Sequence, residues 1–103
     1  MDLSNMMKQA QKIQEQIAKV QDELGERTVE ATSGAGMVTV TANGKQEILS
    51  IKISPDAMES DDTAMIEDLL TAAVNEALRS SKALLQSEIS KITGGISIPG
   101  INM

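Results

Sequence analysis

Residues 37–53 read MVTVTANGKQEILSIKI, and the architecture turns on them. Apolar and β-branched residues alternate with polar ones at a period of two, the mark of a half-buried strand rather than a helix. Asn43-Gly44 breaks the pattern into strands over residues 37–42 and 45–53. An Asn-Gly pair suits a two-residue type I′ hairpin, which needs positive φ at both central positions. Pairing across such a loop sets Val38 opposite Leu49 and gives Val38, Val40, Leu49, Ile51 and Ile53 one buried face. Glu47 then opposes Val40, a mild conflict near the hairpin end.

Upstream, residues 28–32 (TVEAT) form a further short alternating strand, joined to the first by the turn Ser33-Gly34-Ala35-Gly36. Three strands in sequence make an antiparallel meander. Before them the period changes. Leu3, Met6, Ala10, Ile13, Ile17, Val20 and Leu24 alternate steps of three and four, the seam of a helix over residues 3–24. Asp2 or Ser4 can cap its start and Gly25 stands at its end. Downstream, Ser54-Pro55-Asp56 ends the last strand and the acidic stretch 59–63 suits a helix N-terminus. A long helix over residues 63–92 follows, its apolar stripe interrupted once at Arg79-Ser80-Ser81-Lys82. Gly94-Gly95 ends it and opens a tail, residues 94–103, expected to be flexible. The fold class is therefore α+β, in one domain over residues 1–103.

Element lengths bear on assembly. The first helix is roughly 33 Å long and the long helix roughly 43 Å, whereas the strands span roughly 17 to 30 Å. Apolar seams that overrun the sheet need another partner, and a second copy is the economical one. The expected dimer interface is Met6, Ala10, Ile13, Ile17 and Val20 of the first helix with Leu84, Leu85 and Ile89 of the long one. Flexible thioethers such as those of Met6 and Met7 suit irregular packing there.

Composition removes whole chemistries. The 103 residues include no Phe, Tyr, Trp, His or Cys. Without Cys and His there is no disulfide, no thiolate nucleophile and no usual zinc ligand set. The commonest general acid–base near neutral pH is missing too, which argues against an enzyme. Without aromatic rings the chain cannot stack bases, which disfavours single-strand platforms. No cofactor and no small-molecule substrate are expected. The net charge of −6 and pI near 4.5 argue against indiscriminate nucleic-acid binding. No apolar run is long enough to span a bilayer, and MDLSNMMKQAQK lacks the pattern of a signal peptide, so the chain reads as intracellular with no membrane partner.

Local clusters remain. Lys8, Lys12 and Lys19 lie within about 40° of one another on a helix advancing about 100° per residue. They make either a phosphate-contacting edge or a solvated face, and Glu15 between them can pair with Lys12 and Lys19. Arg79 and Lys82 sit where the stripe weakens, which suggests exposure. Glu59, Asp61 and Asp62 lack the glycine and distal Glu of a calcium loop and read as helix capping, so no metal is expected. Gly34 and Gly36 precede a strand, not a helix, and are turn residues rather than a phosphate cradle.

Taken together, MMKQAQKIQEQIAKVQDEL, SGAGMVTVTANG and the IEDLL…AVNEAL run before a Gly-Gly and Pro-Gly tail resemble the YbaB/EbfC family of bacterial nucleoid-associated proteins across nearly the whole chain. The resemblance implies a two-layer α+β protomer and an intertwined homodimer with helices projecting like tweezers. It also implies double-stranded DNA binding of low sequence specificity, through basic residues on those helices, and a cytoplasmic location on the nucleoid. Lys8 and Lys19 fall where the family's first helix is commonly basic, and Arg79 falls in the basic segment of the long helix. Leu49 and Ser50 stand where some members carry paired arginines, and Ser80 where a second Arg is common. The candidate DNA-binding set is Lys8, Lys12 and Lys19, with Arg79 and Lys82 secondary. The competing reading is an acidic dimeric adaptor that keeps the fold and binds protein.

Overall fold

The structure, a computed structural model, describes residues 2–93; the tail from residue 94 lies outside the described residues. Its elements are α1 (Leu3–Leu24), β1 (Thr28–Ser33), β2 (Val38–Asn43), β3 (Ile48–Ile53), α2 (Pro55–Glu59) and α3 (Thr63–Thr93). Asp2 caps α1, its carboxylate accepting from the Ser4 N–H at 3.1 Å. Asp62 does the same for α3, accepting from the Met65 N–H at 3.0 Å. The short α2 has both marks of a helix start, an N-cap at Ser54 and proline in the first turn, in residues that the sequence pattern assigns to a strand end.

The strands form one antiparallel sheet in the order β1-β2-β3. Its register differs from the one the Asn-Gly signal implies. Val38 faces Ile53 and Val40 faces Ile51, not Leu49 and Glu47, and a bulge lies between Thr41 and Ala42. The reason lies in Asn43. Its Oδ1 accepts from the N–H groups of Lys45 (2.9 Å) and Glu47 (3.1 Å), and its own N–H donates to the Glu47 carbonyl at 3.0 Å. That closes a three-residue loop, Gly44 to Gln46, in which Gln46 rather than Asn43 or Gly44 takes the left-handed conformation, at φ +64°. An asparagine can serve a turn by its side chain as well as by its backbone, and here the side chain does it. The displacement is even, so Val38 and Val40 still share a face with Ile51 and Ile53.

That face meets α3. Ala31, Val38, Val40 and Ala42 pack against Ala73 and Ala77, flanked by Val29, Ile53, Leu69, Leu70 and Val74. Small residues on both sides bring the helix close to the sheet. A helix is about 10 Å wide and strands are about 4.8 Å apart, so one helix covers two strands and not three. It lies over β1 and β2 and barely touches β3. Consequently Leu49 and Ile51, expected in the core, are 53% and 47% exposed, and Ile48 on the same strand is exposed too. The opposite face of the sheet is polar, carrying Thr28, Glu30, Thr32, Thr39, Thr41, Ser50 and Lys52.

From the β1–β2 turn, where the Ser33 hydroxyl donates to the Leu69 carbonyl at 2.7 Å, α3 runs the length of the sheet and past it. Beyond Ser81 it packs against α1, with Gln16, Val20 and Glu23 beside Glu88 and Ile92. The result is a molecule 68 Å long and 16 Å thick, with a two-helix arm at one end.

Candidate nucleic-acid interface

The arm carries the cations that the sequence singled out. Lys8, Lys12 and Lys19 are all exposed on α1, and among the described residues none of them makes an ion pair. Glu15, expected to pair with Lys12 and Lys19, makes no salt bridge to either. Lys19 shares a shallow groove with Glu23, Glu88 and Lys91, whereas Lys8 and Lys12 stand farther out on the helix. At about 1.5 Å per residue, Lys8 and Lys19 lie about 17 Å apart along the axis.

Arg79 and Lys82 occupy a different place. They line an open groove with Gln46, Asn75 and Leu78, at the foot of the arm. Arg79 is exposed but already paired with Glu76 at 2.8 Å, and Lys82 is half-buried. Lys45, on the same hairpin loop as Gln46, adds an exposed cation that sequence reasoning missed. The sequence pattern places it at the start of the return strand, where its direction depends on the register.

Glu88 is where α3, β1 and the arm meet. Its carboxylate accepts from Lys91 at 3.0 Å and from Arg27 at 2.9 Å, and these two hydrogen bonds hold its pKa below the ordinary carboxylate value. Arg27 is therefore engaged in tying the connection between α1 and β1 to α3.

The residues expected between copies divide into two groups. Met6, Ala10 and Ile13 are exposed on the outer half of α1, where α3 does not cover them. Ile17, Val20, Leu84 and Leu85 are half-buried, and Ile89 is only 4% exposed within the single chain, spent on the packing of the arm itself.

One stretch is acidic without any base. From residue 54 to residue 78 there is no Lys or Arg, but Asp56, Glu59, Asp61, Asp62, Glu67, Asp68 and Glu76. All nine basic residues, against the other eight of the fifteen acids, belong to the rest of the chain. This block comprises α2 and the half of α3 remote from the arm. Among the described residues no group of acids gathers to hold a metal, and no helix is long and apolar enough to cross a membrane.

The model of the YbaB/EbfC DNA-binding family matches residues 1–96. The chain belongs to this family. A nucleoid-associated protein of Thermoanaerobacter pseudethanolicus is 53% identical over 100 residues, covering 97% of this chain and 90% of that one. A nucleoid-associated protein of Moorella thermoacetica is 54% identical over 99 residues, covering 96% and 95%. The crystal structure of an uncharacterized Helicobacter pylori protein superposes with a TM-score of 0.81 at 20% identity, covering 91% of this chain and 99% of that one. That likeness concerns the fold alone. It gives the order of helix, three-stranded sheet and long helix in this YbaB/EbfC member a counterpart in an experimental structure.

Proposed function

We propose that this YbaB/EbfC protein is a homodimer, associated with the nucleoid, that binds double-stranded DNA through its phosphates with little regard to sequence. The observation that carries the reading is the exposed row Lys8, Lys12 and Lys19, without ion-pair partners among the described residues, on an arm remote from the acidic block. Distance decides between the local cations and the net charge of −6. Asp68 and Glu88 are about 30 Å apart along α3, so all of the acidic block except Glu76, which pairs with Arg79 at the foot of the arm, lies several Debye lengths of about 8 Å from the outer lysines. The outer part of the arm therefore meets DNA with its own local charge, three lysines against Glu15, while Asp22 and Glu23 lie at the inner end of α1. Arg79, Lys82 and Lys45 at its foot are secondary contacts, Arg79 at the cost of its pair with Glu76.

Low specificity follows from what the arm lacks. It has no ring for stacking, and the only arginines in the chain, Arg27 and Arg79, are both held by glutamates. Lysine is a point charge and reads phosphate rather than base edges. The homodimer is supported by the uncovered apolar residues Ile48, Leu49 and Ile51 of β3, and by the bare outer seam of α1 at Leu3, Met6 and Ile13. Exposed apolar strips of this kind mark association surfaces.

A salt titration of duplex binding tests the reading. Six α1 lysines in a dimer set a limit of about 5 for the slope of log K against log salt, at about 0.9 per phosphate. Lys8, Lys12 and Lys19 changed together to Glu should abolish retardation of every duplex while the far-ultraviolet spectrum is unchanged. A wild type that retards no duplex at low salt, or a triple variant that binds as well as wild type, refutes it and leaves the acidic adaptor as the better account.

A further inference from the structure

Where α1 joins the body, buried polar groups stand beside the buried Leu24. Ser81, at the middle of α3, is fully buried; its hydroxyl donates to the Asn43 carbonyl at 2.6 Å and accepts from the Gln46 N–H at 3.0 Å. The apolar stripe of α3 is interrupted here, but the interruption is turned inward. Asn43, 3% exposed, donates from Nδ2 to the Gly25 carbonyl at 3.3 Å and to Glu47 Oε1 at 2.8 Å. The Gly44 N–H donates to the carbonyls of Leu24 (2.8 Å) and Arg27 (3.0 Å). One loop thus holds the last turn of α1 with one set of bonds and the middle of α3 with another.

An alanine at position 81 would fill an apolar stripe and favour the helix more than serine does. A satisfied buried hydroxyl adds direction, because hydrogen bonds fix angles that apolar packing leaves free. The direction matters because α1 is a lever. Lys8 is sixteen residues from Leu24, about 24 Å along the axis, so a tilt of about 10° at the joint moves its backbone by about 4 Å. Packing against α3 steadies only the inner half of α1, from about Gln16.

We propose that Asn43 and Ser81 are positioning residues: they form a joint that sets the direction in which α1 leaves the sheet and so places Lys8 and Lys12 on the duplex. The second clause rests on the DNA-binding reading; the first does not. The protein contains no cysteine, so nitroxide labels can be placed cleanly at Gln9→Cys on α1 and Thr32→Cys on β1, both exposed. Labelled chains diluted into unlabelled protein report the distance within one chain, with no DNA present.

The wild type should give a narrow distance distribution. Ser81→Ala should broaden or shift it by several ångström with helix content unchanged. Asn43→Asp combined with Glu47→Gln, which keeps the Oδ1 acceptor, loses the donor to Gly25 and sets no second carboxylate against the new one, should do the same and serves if Ser81→Ala does not fold. Duplex affinity should fall about eightfold near 0.1 M salt for each phosphate that a lysine no longer reaches, and the salt slope by about 0.9. An unchanged distribution in a folded variant overturns the joint, whatever happens to DNA binding. A broadened distribution with unchanged affinity and slope overturns the positioning role. If the wild type binds no duplex yet the variants broaden, the DNA-binding reading fails while the joint stands.

Discussion

Gly44 separates two explanations of the same residue. A type I′ hairpin would demand glycine there for positive φ, but Gly44 is not in the left-handed region; it is required because the chain passes too close to α1. A Cβ at this position would lie 2.7 Å from Leu24 Cβ, 2.8 Å from its Cδ2 and 2.9 Å from its carbonyl oxygen. Leu24 is 1% exposed and cannot swing aside, and the carbonyl is backbone. Gly44→Ala should therefore cost about 1–3 kcal/mol for overpacking and about 1 kcal/mol more for the weakened bond to the Leu24 carbonyl. For a chain of this size the sum lowers the melting temperature by about 10–25 °C. Thermal unfolding followed by circular dichroism measures it. Gly44→Asn discriminates, because asparagine tolerates the left-handed region but not the lack of space. It should be at least as damaging as alanine, and an asparagine variant near wild-type stability would refute the close-approach account.

Ile51→Asp should leave the protomer's helix content intact, since Ile51 is 47% exposed, yet shift the protein to a monomer in sedimentation; a persistent dimer would remove β3 from the interface. The same change at buried Ile89 should instead unfold the arm. Because Lys91 and Arg27 lower the pKa of Glu88, its contribution to stability is present above the unfolded carboxylate pKa and is lost as the pH falls through the lowered value. Glu88→Gln should reduce stability at neutral pH and flatten that part of the acid-unfolding profile; an identical profile would show that the two bonds add nothing.

The sequence discloses most where local rules suffice. The three-four seam and Asp2 delimit α1, and period-two alternation finds all three strands. Alternation says which residues share a face, however, not what covers it, so the pattern puts Leu49 and Ile51 inside although one helix spans only two strands. The hairpin register is obscured because asparagine and glycine each have two uses, and the fold employs the second use of both. Ser54-Pro55 looks like a strand terminator and is also a helix start. For the candidate interface, Lys8, Lys12 and Lys19 are legible from helical phase alone. The absence of a salt bridge at Glu15 is not, since rotamers decide it. Ser81 reads as a polar gap because nothing local tells a helix which polar residue another loop will approach.

The core that joins α3 to the sheet would, in the proposed homodimer, give concentration a thermodynamic role. Among the described residues, five of the nine buried apolar ones are alanines, whose side chains release little surface from water. The larger apolar groups, Ile48, Leu49, Ile51, Met6 and Ile13, are still exposed. In a homodimer that hides them, much of the hydrophobic stabilisation arrives with the second copy, and folding becomes a second-order event. Its midpoint then moves with the logarithm of protein concentration, as mass action requires of subunits that stabilise each other. For such a protein the number of copies in the cell sets not only how much DNA is covered but what fraction of the chains is folded.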